Sequence, residues 1–515
     1  MRKQLKIAAV VSTAALLALG ASMTSMAAAK NGTWKLDDID WQCFDRNGDV
    51  ITDEFCMSNG KEYYVGEDGY LVRSSWVDYD DETYYVNSAG MKVTNDWKFV
   101  YPMDSEDEEE WFYFLPSGKL VTDNSKKING KTYYFDEDGI MVTGWVNYNS
   151  TDKVTADDAF TPGETYYCDE TGARVENSWL HEVEPDADDD DYDQHWYYLD
   201  AKGKVSTGKK DGIKGHTYFF DNANGQMITG WVKENKTTGV CAKIENEALS
   251  TVIAANKVYY ASEDGHMKKD DWKFLWSAME EDAEDVDADK NWYHFDSHGE
   301  VFIPTGAATL SNTKKVKFND EKLVKNNETQ INLTKDKIGK KEYYFNPDGE
   351  MVSGFYMDAT DLYYINDGVL AKEDFDIKDD YDNVHEFLFD KETGKAKNGV
   401  VDGKLYIKGR LVSTGDDKYA LASYGGKVFF VDYKGKIQTT TKPGKEYKDG
   451  SEVVFKNDTA SIGGFDTDGS LLKANKNNFT SVSDVQGLPC VSSYLKEANY
   501  AGTAALVYNA PVVTP

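Results

Sequence analysis

The chain has 515 residues, with 57 Lys and Arg against 90 Asp and Glu for a net charge of −33, and it carries 34 Tyr, 23 Phe and 12 Trp. That aromatic content supplies enough apolar surface for ordered structure and excludes disorder of the highly charged, weakly hydrophobic kind. The acidic balance excludes nucleic acid as a partner, because phosphates are held through clustered Lys and Arg that release counterions.

Residues 1–29 read as a signal peptide. Arg2, Lys3 and Lys6 form a basic start, Ile7 to Gly20 an apolar run, and Ala27 to Ala29 a small-residue cleavage site. The apolar run is too short to span a bilayer, and no later segment of the sequence reads as transmembrane. Cleavage removes three basic residues and no acidic ones, which carries the net charge from −33 to −36. The C-terminus, ending Val512-Val513-Thr514-Pro515, has no long apolar stretch and no basic stop signal, so covalent wall sorting is not expected. Five cysteines, Cys43, Cys56, Cys168, Cys241 and Cys490, are too few and too scattered for a disulfide framework. Cys43 and Cys56 are close enough in sequence to pair. The other reading, a small apolar residue in a strand, is preferred for Cys43 and Cys168.

Three unit types then recur in fixed order. The first opens with Trp: Trp41 to Gly48, Trp111 to Gly118, Trp196 to Gly203 and Trp292 to Gly299. The second has paired aromatics and an Asp/Asn-Gly step: Tyr63 to Gly69, Tyr133 to Gly139, Tyr218 to Gly225 and Tyr343 to Gly349, ending at Trp76, Trp145, Trp231 and Phe355. The third runs from Tyr84 to Trp97, Tyr166 to Trp179, Tyr259 to Trp272 and Tyr363 to Phe375. The opening Trp recurs after 70, 85 and 96 residues, so the register holds while intervening loops lengthen. Weaker copies follow at Gly403, Gly426 and Gly464, and the pattern ends near residue 475.

Each unit predicts a hairpin. An aromatic run suits an extended, half-buried backbone, and the Asp/Asn stretch closing on Gly supplies the positive φ of a turn. A short apolar return strand such as Ile140-Met141-Val142 then completes it. One hairpin is marginal in water, but stacked copies bury their aromatics continuously. The predicted fold is therefore all-β, an elongated solenoid of stacked β-hairpins, rather than a propeller or barrel whose closure such unequal inserts would disturb.

These units resemble the cell wall-binding repeats of choline-binding and glucan-binding proteins, whose return segment reads Met-x-Thr-Gly-Trp. Gly139 to Val146 and Gly225 to Val232 match almost residue for residue, and Gly349 to Tyr356 departs only where Phe355 replaces Trp. The organisation that follows is a signal peptide at 1–29, hairpin super-repeats at 30–400, degenerate hairpin repeats at 401–475, and a tail at 476–515. The resemblance implies ligand sites between consecutive hairpins, where two Trp and an aromatic or Met form a cage. A quaternary ammonium suits such a cage, at about 0.5–2 kcal/mol per ring face, and sugar rings stack on flat aromatic faces. The matching residues are the pairs Trp97 with Trp111, Trp179 with Trp196 and Trp272 with Trp292, together with Trp145, Trp231, Met141 and Met227.

The chain departs from that family pattern by inserting an acidic loop between the paired Trp in every copy: Asp104 to Glu110, Glu182 to Asp193 and Glu280 to Asp289. The other unit types also carry Thr, Glu or Val before the Tyr pair where the family often has Trp. Both departures predict that three-walled cages are missing at most junctions. Three readings of the loops stand side by side: a solvated spacer that keeps an aromatic rod soluble, a calcium site, and a surface for a cationic partner. Hard cations favour clustered carboxylates, and the metal candidates are Asp107, Glu109, Asp189, Asp191, Asp285 and Asp287. No loop has EF-hand spacing, and Asp45 to Asp49 matches only its first positions.

No catalytic constellation is present in the sequence. The seven His are scattered along the repeats, and neither a His-Glu-x-x-His nor a Gly-x-Ser-x-Gly motif occurs. No cofactor is expected apart from calcium under the second loop reading. The expected function is that of a secreted or surface-associated, non-catalytic protein that binds a cell-wall polysaccharide, teichoic acid or other envelope glycan noncovalently. The alternative is an adhesin or scaffold whose acidic loops meet a host or matrix protein, and a cell-wall-active enzyme comes third.

Overall fold

The computed structural model describes residues 29–105, 108–148, 154–156, 159–185, 193–279, 290–319, 322–325, 329–379, 381–412, 414, 418–424, 427–439, 442, 445–456 and 466–470. The signal segment up to residue 28, Cys490 and the tail at 476–515 lie outside these residues. Among the described residues the chain is all-β, with a single four-residue helix at Leu249–Val252. It forms two units, Met1–Ser206 with Ala223–Gly225 and Thr207–Asn222 with Gln226–Pro515. In both, the building block is a two-stranded antiparallel hairpin.

The hairpin of Ser75–Tyr79 and Glu82–Val86 shows the local logic. Trp76 pairs with Tyr85 and Val77 with Tyr84, and the connecting Asp80 and Asp81 both have positive φ, +56° and +59°. A two-residue turn of this kind twists in the same sense as the strands it joins. Asn59-Gly60 and Asn129-Gly130 close the 54–65 and 124–135 hairpins in the same way.

The phase of the unit therefore differs from the sequence expectation. The Trp-bearing segment is the first strand and the aromatic run is the second, whereas the aromatic run had been expected to open the hairpin and the Met-Val segment to close it. The Asp-to-Gly stretch makes a separate turn after the hairpin. In the 124–135 unit the Asp136 carboxylate accepts the N–H groups of Asp138 at 3.1 Å and Ile140 at 2.8 Å, and Gly139 takes φ +79°. The return segment then makes only one bridge, Phe135 to Met141.

That return segment joins neighbouring hairpins. The Val142 N–H donates to Tyr134 O at 2.9 Å in its own hairpin, and the Met141 N–H donates to Trp111 O at 2.8 Å in the preceding one. Equivalent inter-hairpin bonds run from Leu71 to Trp41, Leu120 to Thr83 and Met351 to Trp292, each at 2.9 Å. Side chains complete the stacking: Trp76 lies 5.3 Å from Tyr85 across its own hairpin and 4.8 Å from Phe112 in the next. Phe112, Phe114, Tyr134, Phe135, Tyr197, Phe219 and Tyr293 are fully buried. Within each unit, hairpins thus bury their aromatics against neighbouring hairpins.

Two regions depart from the simple hairpin. Strand Leu310–Asn319 pairs with Ile331–Ile338, Lys322–Lys325 and Gly354–Met357 inside a seven-stranded sheet. Past residue 400, hairpins continue at 399–407, 419–432 and 446–456. Cys43, Cys56, Cys168 and Cys241 are free and buried. The Cys43–Cys56 disulfide is therefore not formed, and both thiols serve as small apolar residues in one core cluster. Burial pushes the Cys168 and Cys241 thiols up to about 12.

Candidate ligand-binding junctions

The paired Trp residues sit on the two arms of a single hairpin, not on consecutive hairpins as expected. Strand Asp96–Val100 carries Trp97 and strand Glu110–Phe114 carries Trp111, with Trp97 opposite Tyr113 and Phe99 opposite Trp111. Trp97 and Trp111 are diagonal neighbours with ring centroids 6.2 Å apart at 86°. Trp179 and Trp196 repeat this at 6.2 Å and 84°. Trp272 lies opposite His294, and Phe274 opposite Trp292. The acidic segment between each pair thus connects the two strands of that hairpin in sequence.

The next hairpin completes the junction. Tyr133 approaches Trp97 to 5.0 Å, and Met141 packs in the same apolar cluster as Trp97 and Tyr133 while its N–H bonds Trp111 O. In the second unit Tyr343 approaches Trp272 to 4.9 Å, and the Met351 N–H bonds Trp292 O. Two Trp, one Tyr and one Met therefore converge at both places, so the inserted loop does not separate the pair. A third copy, near the N-terminus, holds Trp34 5.8 Å from Tyr63, with Leu71 in the Met position bonded to Trp41 O. The sequence reading missed Trp34 because it opened the repeat at Trp41, and missed Tyr133, Tyr343 and Met351 as junction residues.

An exposed ring face is present at these junctions. Trp41, Trp196 and Trp292 are 40%, 46% and 42% exposed, and Phe99 and Phe274 are 45% and 51% exposed. His181 stacks on Trp196 at 4.4 Å, while Phe99 lies tilted against Trp111 at 5.1 Å and 38° and Phe274 against Trp292 at 5.2 Å and 41°. Beside Trp272, burial holds the His294 imidazole below its ordinary range, against the opposing pull of Asp271 and Asp296.

Trp145 and Trp231 are placed differently from the other candidates. They are only 4% and 5% exposed, packed on Tyr167 and Tyr197, and on Tyr260 and Tyr293. Their indole N–H groups donate to Val183 O and Trp276 O, both at 2.9 Å, as Trp76 does to Tyr101 O at 2.8 Å. The base of the following acidic hairpin seals each indole N–H; Trp145 and Trp231 present no open face, while the Trp76 ring is half-buried. Met227 lies in the second unit, and a Cβ on Gly265 would stand 2.4 Å from its sulfur; Trp179 and Trp196 lie in the first.

Of the metal candidates, Asp107, Asp189, Asp191, Asp285 and Asp287 lie outside the described residues, and Glu109 is exposed beside them. Among the described residues no group of three or more His, Cys, Asp or Glu side chains is placed to share a metal ion. The Asp45 to Asp49 segment is accounted for as a turn, its Asp45 carboxylate accepting the N–H groups of Asn47 and Asp49 at 2.8 and 2.9 Å.

A choline-binding repeat family matches residues 121–179, and a putative cell wall binding repeat family matches residues 191–205 and 335–351. Glucosyltransferase-S of Streptococcus mutans is 26% identical over 326 residues, covering 62% of this chain and 18% of that protein. Glucosyltransferase-I of Streptococcus downei is 25% identical over 467 residues, covering 79% of this chain and 26% of that protein. The chain thus matches about a quarter or less of the length of these relatives. Among solved structures, the choline-binding domain of CbpL from Streptococcus pneumoniae aligns at a TM-score of 0.30 and 22% identity, covering 47% of this chain and 98% of that one.

Proposed function

We propose, for a chain that carries choline-binding and cell wall-binding repeats, that it is a secreted or surface-held protein which grips the cell envelope noncovalently through the Trp junctions. The observation that carries this reading is the recurrence of one constellation: Trp97, Trp111, Tyr133 and Met141 in the first unit, and Trp272, Trp292, Tyr343 and Met351 in the second, with the Trp–Tyr contact at 5.0 and 4.9 Å. Ring faces gathered around a partly open space attract a cation that is weakly hydrated, and a quaternary ammonium is such a cation. Choline carried on a teichoic acid is the ligand that fits. The net charge of −33 rules out simple attraction to an anionic polymer, so retention rests on these contacts. The reading assigns no chemistry to the repeats themselves.

A second reading rests on the exposed rings of Phe99, Phe274 and Trp292. They offer flat apolar faces of the kind on which sugar rings stack, which makes an envelope glucan the alternative ligand.

Incubation of the mature protein with purified cell walls, followed by elution with choline, free sugars, EDTA or salt, tests both. Retention with release by choline supports the first reading, and release by free sugar supports the second. Absence of retention on every wall preparation contradicts both.

A further inference from the structure

The residue that runs beneath the turn glycine of the next hairpin is apolar at most turns, as Leu71 under Gly90 and Leu120 under Gly139, and basic at two. Met141 and Met351 pass under Gly172 and Gly368, where a Cβ on the glycine would stand 2.3 and 2.7 Å from sulfur. Lys92 and Arg174 take the same path under Gly118 and Gly203, with closest atoms at 2.9 and 2.7 Å. These two side chains end on aromatic faces. The Lys92 ammonium lies 4.8 Å from the Phe55 ring centroid and 5.2 Å from that of Tyr84, pairs with Glu62, and has a side chain only 6% exposed. The Arg174 guanidinium lies 5.4 Å from Tyr166, donates to Tyr134 Oη at 3.0 Å and pairs with Glu176. Lys204 also approaches Tyr166, at 5.8 Å.

The second unit reaches the same arrangement by another route. Over Tyr259 the cation is Lys209, at 4.6 Å, which also lies 6.0 Å from Phe219, and it comes from strand Gly208–Ile213 rather than from a return segment. Tyr84, Tyr166 and Tyr259 hold one position in the repeat, each opposite the Val that follows a sealed Trp: Val77, Val146 and Val232. A cation delivered to one ring from two different points of the chain indicates that the ring cluster selects for positive charge, not that one return residue happens to be basic.

We propose that the junction between the hairpin preceding each sealed Trp and the sealed-Trp hairpin is a cation site which the chain fills with its own Lys92, Arg174 or Lys209. An external quaternary ammonium is then confined to the junctions built on Trp97 and Trp272, and Lys92 and Arg174 act as specificity residues that close a site. This deepens the reading of the Trp junctions as quaternary ammonium sites and rests on it. A primary ammonium is strongly hydrated and gives up its proton more readily when buried, and burial brings Lys92 down to about 8 although Glu62 pairs with it; a quaternary ammonium in the same place has no proton to lose and needs the ring faces above all.

Calorimetric titration of the full mature chain with choline chloride tests this. Lys92→Met installs the side chain that Met141 places on the same path and leaves Phe55, Tyr84 and Glu62 around the vacated head position. Arg174→Met does the same at the second junction. Each variant is expected to bind one more choline than the parent, with circular dichroism unchanged, and adding Glu62→Gln to Lys92→Met is expected to weaken the new site about tenfold or more. Folded variants that keep the parent's stoichiometry overturn the proposal, and if Lys92→Met does not fold, Arg174→Met is judged by the same count. A parent that binds no choline contradicts the Trp junctions, while a gain from none to one in either variant still upholds this inference.

Discussion

The Trp145 indole N–H donates to the carbonyl oxygen of Val183 at 2.9 Å, across 38 residues of chain. This bond ties the buried face of one hairpin to a strand end of the next hairpin. It recurs from Trp76 to Tyr101 and from Trp231 to Trp276. The strand ends at Tyr101, Val183 and Trp276 that lead into the acidic segments are therefore tied to the aromatic core.

Replacement of Trp145 with Phe removes that donor and leaves a void between Tyr167 and Tyr197. The expected loss is about 2–4 kcal/mol of stability, combining a large-to-small core change with an unsatisfied carbonyl. Trp111→Phe, at a half-buried position, is expected to change stability by less than about 1 kcal/mol. Urea denaturation of the two variants checks the contrast, and equal losses would count against a sealing role for Trp145.

Gly349 is constrained twice. Its φ is +81°, and a Cβ there would stand 2.5 Å from the Phe302 carbonyl oxygen, a backbone atom that has little room to yield. Gly130 has φ +87° with open space around it. Gly349→Ala should cost several kcal/mol and Gly130→Ala only about 1 kcal/mol, again measured by urea denaturation. Equal costs would show that turn conformation alone, without the close approach, accounts for Gly349.

Asp379 and His385 form a buried pair, with Nε2 and Oδ2 2.9 Å apart. Burial alone would raise the Asp379 carboxyl, but hydrogen bonds from His385, from the Asn383 side chain and from the backbone of Asn383 and Tyr381 outweigh it and bring it to about 2. A carboxyl lowered on folding adds stability above its unfolded value of 3.8 and loses it as the pH falls towards 2. Acid denaturation of the parent should therefore steepen in that window. Asp379→Asn should lower neutral-pH stability by about 1–3 kcal/mol and flatten the acid response, and a variant with the parent's acid profile would argue against this pair as its source.

Cys43, Cys56, Cys168 and Cys241 combine burial with thiols raised above the ordinary range. The thiolate is the reactive form, so iodoacetamide at pH 8 should leave all four unmodified in the native chain and label them in urea. Peptide mass mapping reads the result, and rapid native labelling at any of the four would contradict its described burial.

The β character and the hairpin repeat were legible because aromatic runs and Asp/Asn-to-Gly steps recur at a readable period. The phase of the hairpin was not. Asn59-Gly60, Asp80-Asp81 and Asn129-Gly130 close the hairpins, but the Asp68-Gly69 type is as strong a turn signal, and the true turns sit between segments such as Ser125 to Ile128 whose side chains look unremarkable. Trp34 escaped notice because its partner strand carries Cys43 where the later copies have Tyr113 and His294. The division of the Trp residues into sealed and open classes depends on contacts 25 to 45 residues away, which local spacing does not encode. The long strands at 310–338 carry none of the repeat's aromatic signature.

Choline titration of Trp111→Ala/Trp292→Ala beside the parent tests the central claim most directly, since both rings border the open junctions and neither is fully buried. The expected result is saturable binding by the parent and a drop of about tenfold or more in affinity, about 1.4 kcal/mol, at two sites of the double variant, with thermal stability nearly unchanged. A double variant that binds choline as the parent does, or a parent that binds none, would contradict the assignment of these junctions.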